Sequence, residues 1–355
     1  MSRFFSEKFA SLTPYTPGEQ PKDQRYVKLN TNESPFPPAP GVERAVKEEC
    51  GKLQLYSDPD CCGLRARLAD TYGVRPEQIV VTNGSDEALN FAFLAFADET
   101  RPLAFPDITY GFYPVFAQVN RIPYEEIPVK ADFSIAPEDY MGIHRNIVIA
   151  NPNAPTGLWL SPETLRRIAL SNPDNVVIVD EAYVDFGGES AMGLVEECGN
   201  LLVIQTFSKS RSMAGARLGF AVGNEALIAD LNTLRYSTNP YNVNRMTEAA
   251  GMAALAESGY YQENCRTIVR NREWTRQALE ALGFTVLPSR TNFLFAKTQR
   301  IGGETLYREL KNRGVLIRHF SRERIRDYNR ITIGTREQME ILTETIAEIL
   351  KERGV

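Results

Sequence analysis

The fold is decided by the stretch LLVIQTFSKS at residues 201–210, in which an apolar run passes directly into a polar loop that contains Lys209. A short apolar run of this kind is typical of a strand buried within a parallel sheet. Ligands bind at the carboxyl ends of such strands, so Lys209 is placed where a ligand would lie. A lysine amine can condense with an aldehyde, although a Ser-Lys pair also occurs in plain solvated turns.

Further apolar runs of strand length lie at 146–150 and 176–179, and predicted strands alternate with predicted helices from about residue 64 onward. One such pair is a strand at 78–82 followed by a helix at 86–97. Alternating strands and helices predict an α/β fold, here a large domain with a mostly parallel, mixed sheet flanked by helices.

The pattern divides the chain into four parts. Clustered prolines in 1–40 predict an extended arm that reaches the small domain or a partner subunit. Residues 41–240 form the predicted large domain, and 241–282 form a long helical region with a break near Gly259. Residues 283–355 predict a small α+β domain.

Composition excludes several classes of function. The 355 residues carry a net charge of -5, so neither nucleic acid nor an anionic membrane is an expected partner. No apolar run approaches the ~18 residues of a membrane span, and residues 1–10 lack a signal-peptide pattern, which predicts a cytoplasmic protein. Five cysteines without a C-x-x-C motif and only two histidines predict neither disulfides nor a metal site.

Two loops that follow predicted strands carry residues suited to a ligand. In TNGSDE at 82–87, the backbone N–H groups of Ser85 and Asp86 favour an anion such as phosphate, unless the helix that starts there is simply capped. In PDITYGFY at 106–113, Tyr110 can stack on a planar ring or pack in the core.

Two later loops add polar groups. The loop NPNAPTG at 151–157 offers amide side chains, which a plain turn also contains. In DEAY at 180–183, Asp180 ends a buried strand, where a carboxylate is costly unless a cation meets it. A protonated pyridine nitrogen would be such a cation, and an arginine or a helix N-terminus would be alternatives. Tyr183 can hydrogen-bond a phenolic oxygen of the same ring.

In this order, with Lys209 last, the five loops resemble the fold-type I pyridoxal 5'-phosphate enzymes of the aspartate aminotransferase superfamily, across essentially the whole chain. The resemblance implies that Lys209 binds the cofactor covalently and moves the proton. It also implies that Asp180 pairs with the pyridine nitrogen, that Tyr183 contacts the phenolic oxygen and that Tyr110 stacks on the ring. The implied phosphate-binding residues are Ser85 and Asp86, through their backbone, with Ser208 and Arg217.

The chain departs from this superfamily at Ala154, where an asparagine usually hydrogen-bonds the phenolic oxygen of the cofactor. A methyl group cannot replace that amide. Tyr183 is then expected to hold the oxygen alone, or with help from Asn153 or a water molecule.

The arm motif LNTNESP at 29–35 and the motif LYSDP at 55–59 resemble the histidinol-phosphate aminotransferase family. The resemblance implies that Tyr56 reaches the cofactor phosphate of the neighbouring subunit, which makes the protein a homodimer. It also implies that Tyr15 lies near the substrate, whereas without the resemblance Tyr15 would be a surface aromatic of the arm.

Arg318 and Arg330 match two arginine positions of the same family, although strand-end arginines are otherwise mostly solvated. A guanidinium fork suits both carboxylate and phosphate, so one pocket can take glutamate and histidinol phosphate in turn. The expected reaction is reversible ping-pong transamination between L-histidinol phosphate and 2-oxoglutarate, giving imidazole-acetol phosphate and L-glutamate.

Three other functions fit the same scaffold. One is a lyase similar to threonine-phosphate decarboxylase, and another is an aromatic or broad-range amino acid aminotransferase. The third is a non-enzymatic transcription regulator, which would need a DNA-binding domain, and the proline-rich arm contains no helix-turn-helix pattern. The arm motif favours the transaminase.

Overall fold

The computed structural model describes residues 2–10 and 12–354. The strands are β1 (Val27–Lys28), β2 (Ile79–Thr82), β3 (Leu103–Pro106), β4 (Tyr124–Ile127), β5 (Asn146–Ala150), β6 (Val177–Asp180), β7 (Leu201–Thr206), β8 (Gly219–Gly223), β9 (Phe284–Val286), β10 (Phe293–Thr298), β11 (Val315–Leu316), β12 (Arg318–His319) and β13 (Asn329–Thr332). The α-helices are α1 (Pro40–Cys50), α2 (Cys62–Tyr72), α3 (Ser85–Phe96), α4 (Tyr113–Asn120), α5 (Pro162–Ser171), α6 (Glu225–Thr238), α7 (Arg245–Ala256), α8 (Ser258–Ala281), α9 (Gly303–Asn312) and α10 (Arg336–Glu352).

The large sheet has seven strands in the order β2-β8-β7-β6-β5-β3-β4. Only β8 runs antiparallel to its neighbours, β2 and β7, so the sheet is mixed and mostly parallel. Every residue of β5, β6 and β7 is buried, which is why these strands read as continuous apolar runs. The predicted α/β fold is confirmed. Strand β4 carries exposed glutamates at the sheet edge, and the apolar pattern missed it.

One predicted helix boundary near the strand-end loops differs from the structure, and one predicted break agrees with it. The sequence predicts a helix over 110–119, but α4 begins at Tyr113, so Tyr110 lies in the loop that precedes α4. The break predicted near Gly259 is confirmed: it lies at Glu257, since α7 ends at Ala256 and α8 begins at Ser258.

A second sheet of four antiparallel strands, in the order β12-β13-β10-β9, is built from the C-terminal part of the chain. The sequence predicts one strand over 315–318, and the structure splits it: β11 pairs in parallel with β1 of the arm, whereas β12 pairs with β13. The backbone of the arm also bonds this sheet directly, since the Thr332 N–H donates to the Leu29 carbonyl at 2.9 Å. The four-part division of the chain stays a prediction.

Among the helices of the described residues, none combines the length and the apolar character that crossing a membrane requires.

Candidate active site

One cavity lies at the carboxyl ends of the parallel strands, between the large sheet, the arm and the small sheet. All but one of the predicted site residues line it. They are Tyr15, Ser85, Asp86, Tyr110, Asp180, Tyr183, Ser208, Lys209, Arg217, Arg318 and Arg330. The structure therefore brings these residues together, and their individual roles stay predictions.

Lys209 lies in the loop that follows β7, and its Nζ donates to the carbonyl oxygen of Thr31 at 3.3 Å. The loop is held by Thr206, whose hydroxyl accepts the Ser208 N–H at 3.1 Å and donates to the Ser208 hydroxyl at 2.9 Å. The Lys209 amine also lies 5.8 Å from the centre of the Tyr183 ring. The amine thus enters the cavity between the arm and the loop after β6.

Asp180 is buried at the end of β6 without a cation at its carboxyl group in the described chain. Its Oδ2 accepts the Tyr113 hydroxyl at 2.9 Å, and its Oδ1 accepts the Ala182 N–H at 3.2 Å. Burial outweighs both hydrogen bonds and raises the pKa of Asp180 to about 6. A cationic group placed against this carboxyl group would compensate the cost of its burial. Tyr113 was missed because its apolar spacing reads as core.

The N-terminus of α3 forms an open cup for an anion. Gly84 precedes the helix with φ +81°, and a Cβ there would lie 2.6 Å from Nη2 of Arg217. A Cβ on Gly219 would lie 2.5 Å from the Ser85 nitrogen. Glycine at both positions lets the Arg217 guanidinium and the Ser208 hydroxyl approach the start of the helix. Nη1 of Arg217 lies 3.5 Å from the Ser208 hydroxyl oxygen. Such a combination of free N–H groups and a guanidinium fits a phosphate group.

Aromatic side chains form the wall of the cavity on the side of the arm. The Tyr110 hydroxyl donates to Oδ1 of Asp86 at 3.0 Å, which fixes the ring at the mouth of the cup. The Tyr15 ring packs on Phe112 at 4.6 Å and lies 6.2 Å from Tyr110. The arm residue Tyr15 therefore borders the cavity instead of packing on a remote surface.

Arg318 and Arg330 point into the cavity with spare hydrogen-bonding capacity. Arg318 donates to the carbonyls of Pro17 and Thr16 at 3.3 and 3.2 Å, and Arg330 donates to the Asn30 carbonyl at 3.2 Å. The Nε of Arg330 is buried and has no partner among the described residues. Burial lowers the pKa of Arg330, so an anion that binds there gains a desolvated cation as its partner.

The loop at 151–157 presents the methyl group of Ala154 to the cavity. Its neighbour Asn153 is fully buried and occupied: its Nδ2 donates to the Ile108 carbonyl at 2.9 Å and to the Thr156 hydroxyl at 3.1 Å. Its Oδ1 accepts the Thr109 hydroxyl at 2.8 Å. Asn153 therefore fastens two loops to each other and is not free to replace the amide that Ala154 lacks.

A second residue that the sequence argument missed is Asn32 of the arm. It lines the cavity, and its Nδ2 donates to the Tyr183 hydroxyl at 2.9 Å. Asn32 lies inside the motif at 29–35, whose resemblance to a family does not by itself reveal this contact.

Tyr56 is the exception among the predicted site residues, because it does not line the cavity. Its side chain is 77% exposed and stacks on Tyr241 with 4.4 Å between the ring centres. The side chains of Leu53 and Leu55 beside it are also exposed.

The site combines a lysine, a buried carboxyl group and an anion-binding helix terminus at the carboxyl edge of a mostly parallel sheet. This combination defines a class, the fold-type I enzymes that carry pyridoxal 5'-phosphate on a lysine. The sequence model of the aminotransferase class I and II family matches residues 24–346, and the chain belongs to this family.

Relatives of known name agree along the full length. The chain is 46% identical to the histidinol-phosphate aminotransferase of Brachyspira hyodysenteriae, covering 99% of this chain and 100% of the relative. It is 47% identical to that of a Marinomonas species, covering 98% and 99%. The fold is also that of the Sinorhizobium meliloti histidinol-phosphate aminotransferase, solved in complex with pyridoxal-5'-phosphate, with a TM-score of 0.88, 22% identity and 99% of each chain covered.

Proposed function

We propose that this enzyme is a histidinol-phosphate transaminase, which exchanges the amino group between L-histidinol phosphate and 2-oxoglutarate with pyridoxal 5'-phosphate as its cofactor. The observation that carries the proposal is the convergence of Lys209, Asp180 and the two arginines Arg318 and Arg330 on one cavity. Relatives of that name that match over the full chain support the choice of substrate.

The residues present fit the cofactor. Within the described residues no cation is bonded to the buried Asp180, and the start of α3 with the Arg217 guanidinium and the Ser208 hydroxyl suits a phosphate. When bound, the cofactor supplies an aldehyde that captures the amino group and a cationic ring that withdraws electrons. Asp180 would keep the ring nitrogen protonated, and Tyr110 would lie against the ring.

Lys209 performs the proton transfer. Its Nζ enters the cavity from the loop after β7, and in the reaction it takes the proton from the α-carbon of the substrate and later returns one. Tyr183 lies beside this amine, with its ring centre 5.8 Å from Nζ, and directs a hydroxyl group to the same space.

The two arginines recognise the anionic groups of both substrates. Because a guanidinium binds carboxylate and phosphate with the same fork, Arg330 and Arg318 can hold the carboxylate of glutamate and then the phosphate of histidinol phosphate. Tyr15 of the arm borders the same space, where the substrate side chain would lie.

A substrate panel tests the proposal. Purified holoenzyme is assayed with 2-oxoglutarate as acceptor and with histidinol phosphate, phenylalanine or threonine phosphate as amino compound. We expect the highest kcat/KM with histidinol phosphate and glutamate as the second product. Release of carbon dioxide from threonine phosphate without glutamate would support the lyase, and a preference for phenylalanine would support an aromatic aminotransferase.

We further propose that the enzyme acts as a homodimer in the cytoplasm. The exposed, stacked pair of Tyr56 and Tyr241, with Leu53 and Leu55 next to it, offers an apolar surface to a second copy of the chain. The five cysteines are free thiols, which is consistent with a reducing compartment.

A further inference from the structure

Asn32 holds the hydroxyl group of Tyr183 from the side of the arm. The amide Nδ2 of Asn32 donates to the Tyr183 oxygen at 2.9 Å. The side chain of Asn32 is 1% exposed, so water does not compete for this hydrogen bond. The bond joins a residue of the arm to the loop after β6.

The orientation of the Asn32 amide is fixed by Thr332 of β13. The Thr332 hydroxyl accepts the backbone N–H of Asn32 at 3.0 Å and donates its own proton to Oδ1 of Asn32 at 3.0 Å. Since Thr332 uses its single proton on that oxygen, the nitrogen of the amide is left to face Tyr183. The carbonyl of Asn32 accepts from Asn292 at 3.0 Å. The backbone of Asn32 adopts φ +56°, a left-handed conformation that asparagine tolerates better than most residues.

A hydroxyl group that accepts a hydrogen bond on its oxygen keeps its proton for another acceptor. The proton of Tyr183 therefore points away from Asn32, toward the cavity that Tyr183 lines. To that cavity the loop at 151–157 offers only the methyl group of Ala154, because the side chain of Asn153 is bonded to Ile108, Thr109 and Thr156. Tyr183 is thus left as the donor to a ligand oxygen in this part of the site.

We propose that Asn32 is a positioning residue, which holds Tyr183 as a hydrogen-bond donor toward an anionic oxygen on the cofactor ring. This inference rests on the proposed function. Asn32 also couples the orientation of the Tyr183 hydroxyl to the arm and the small sheet. Thr332 holds the side-chain amide of Asn32, and Asn292 holds its backbone carbonyl.

A double-mutant cycle between Asn32→Asp and Tyr183→Phe tests the inference. Aspartate has the shape of asparagine but donates no hydrogen bond when ionised, and it accepts the Tyr183 proton instead. The first readout is the pH at which the pH-dependent change in the visible absorbance of the holoenzyme is half complete, called the midpoint below. The second readout is the affinity of the cofactor-free protein for pyridoxal 5'-phosphate. A new negative charge at position 32 shifts the midpoint in both backgrounds, and the cycle subtracts that effect.

We expect Asn32→Asp to raise the midpoint by about one pH unit more when Tyr183 is present than when it is phenylalanine. We also expect kcat to fall by about tenfold with little change in KM. Equal shifts in the two backgrounds would overturn the inference, because Asn32 would then act without the Tyr183 hydroxyl.

Two further variants keep the test decisive. Asn32→Gly retains the left-handed backbone and adds no charge, so it replaces Asn32→Asp if that variant does not fold. Asn271→Asp removes another buried amide donor, which bonds the Gly334 carbonyl at 3.0 Å, and should leave the midpoint unchanged. If the wild type bound no pyridoxal 5'-phosphate, the proposed function would fail, whereas equal shifts in a functional enzyme reject only the role of Asn32.

Discussion

The Tyr113 hydroxyl lies 2.9 Å from Oδ2 of Asp180, and both side chains are buried at the point where β6 ends. This hydrogen bond favours the ionised carboxylate, while burial opposes it and raises the pKa of Asp180 to about 6. Tyr113 thus keeps a desolvated carboxyl group ready to accept a cation. Tyr113 belongs to the first turn of α4, so this helix contributes to the site through the contact with Asp180.

Tyr113→Phe should weaken cofactor binding without creating a cavity in the core. The Tyr113 hydrogen bond favours the ionised carboxylate by about 1.5–3 kcal/mol, so without it the pKa of Asp180 rises further and the carboxyl group must lose a proton before it can pair with a cation. We therefore expect the affinity for pyridoxal 5'-phosphate at neutral pH to fall by about tenfold. Titration of the cofactor-free protein measures this. Tyr140→Phe is the matched control, because Tyr140 is also buried but its hydroxyl has no partner in the described chain. An equal loss in both variants would contradict the role of Tyr113.

Asp180→Asn should change how the stability of the cofactor-free protein depends on pH. Folding raises the pKa of Asp180 from 3.8 to about 6, so the stabilising protonated form is complete at low pH and is lost as the pH rises through about 6. A shift of this size corresponds to about 3 kcal/mol. We expect the free energy of unfolding of the variant, relative to wild type, to rise by that order between pH 4 and pH 7. Urea unfolding at each pH measures it, and a constant difference would contradict the assignment.

Lys209→Ala should abolish transamination, because among the described residues that line the cavity Lys209 is the only amine that can move the proton at the substrate α-carbon. We expect a loss of about 10³-fold or more in kcat, together with loss of the visible absorbance that depends on the covalent link to the cofactor. Lys47→Ala is the control, since Lys47 pairs with Glu43 on an exposed helix face. Retention of that absorbance in Lys209→Ala would refute the covalent role.

The sequence predicted the large sheet well because its central strands are buried on both faces. Every residue of β5, β6 and β7 is buried, so these strands appear in the sequence as apolar runs. The runs located the strands and therefore also the loops at their carboxyl ends. Strand β4 was missed for the opposite reason, since only one of its four residues is buried.

The parts of the site that escaped prediction depend on contacts between distant segments. Tyr113 meets Asp180 across 67 positions of the chain, and Asn32 meets Tyr183 across 151. Neither contact produces a periodic pattern. The contacts of Asn153 with Ile108 and Thr109 were hidden in the same way, because the motif at 151–157 contains the amide and Thr156 but not the partners in the loop at 106–113.

Arg330→Ala should weaken substrate binding far more than cofactor binding. The guanidinium is buried and its Nε has no partner in the described residues, so its free hydrogen-bonding capacity is available to an anionic substrate. We expect KM for both substrates to rise by about tenfold or more, with cofactor affinity changed less than about threefold. Arg145→Ala, which removes an exposed ion pair with Glu125, is the control. Unchanged KM values for both substrates would reject the role of Arg330.

Tyr56→Ala should be inactive alone but should regain activity when paired with Lys209→Ala in a mixed dimer. If Tyr56 serves the site of the partner subunit, a heterodimer contains one site in which both residues are intact. Random mixing of equal amounts would then restore about a quarter of the wild-type activity, because half of the dimers are mixed and each has one complete site. Co-refolding the two variants, followed by activity assay and sizing of the product, measures this. The control pairs Lys209→Ala with Asp180→Asn, two defects of the same chain's cavity, for which no mixed dimer has a complete site. Recovery in the control, or none with Tyr56→Ala, would show that Tyr56 does not act across the interface.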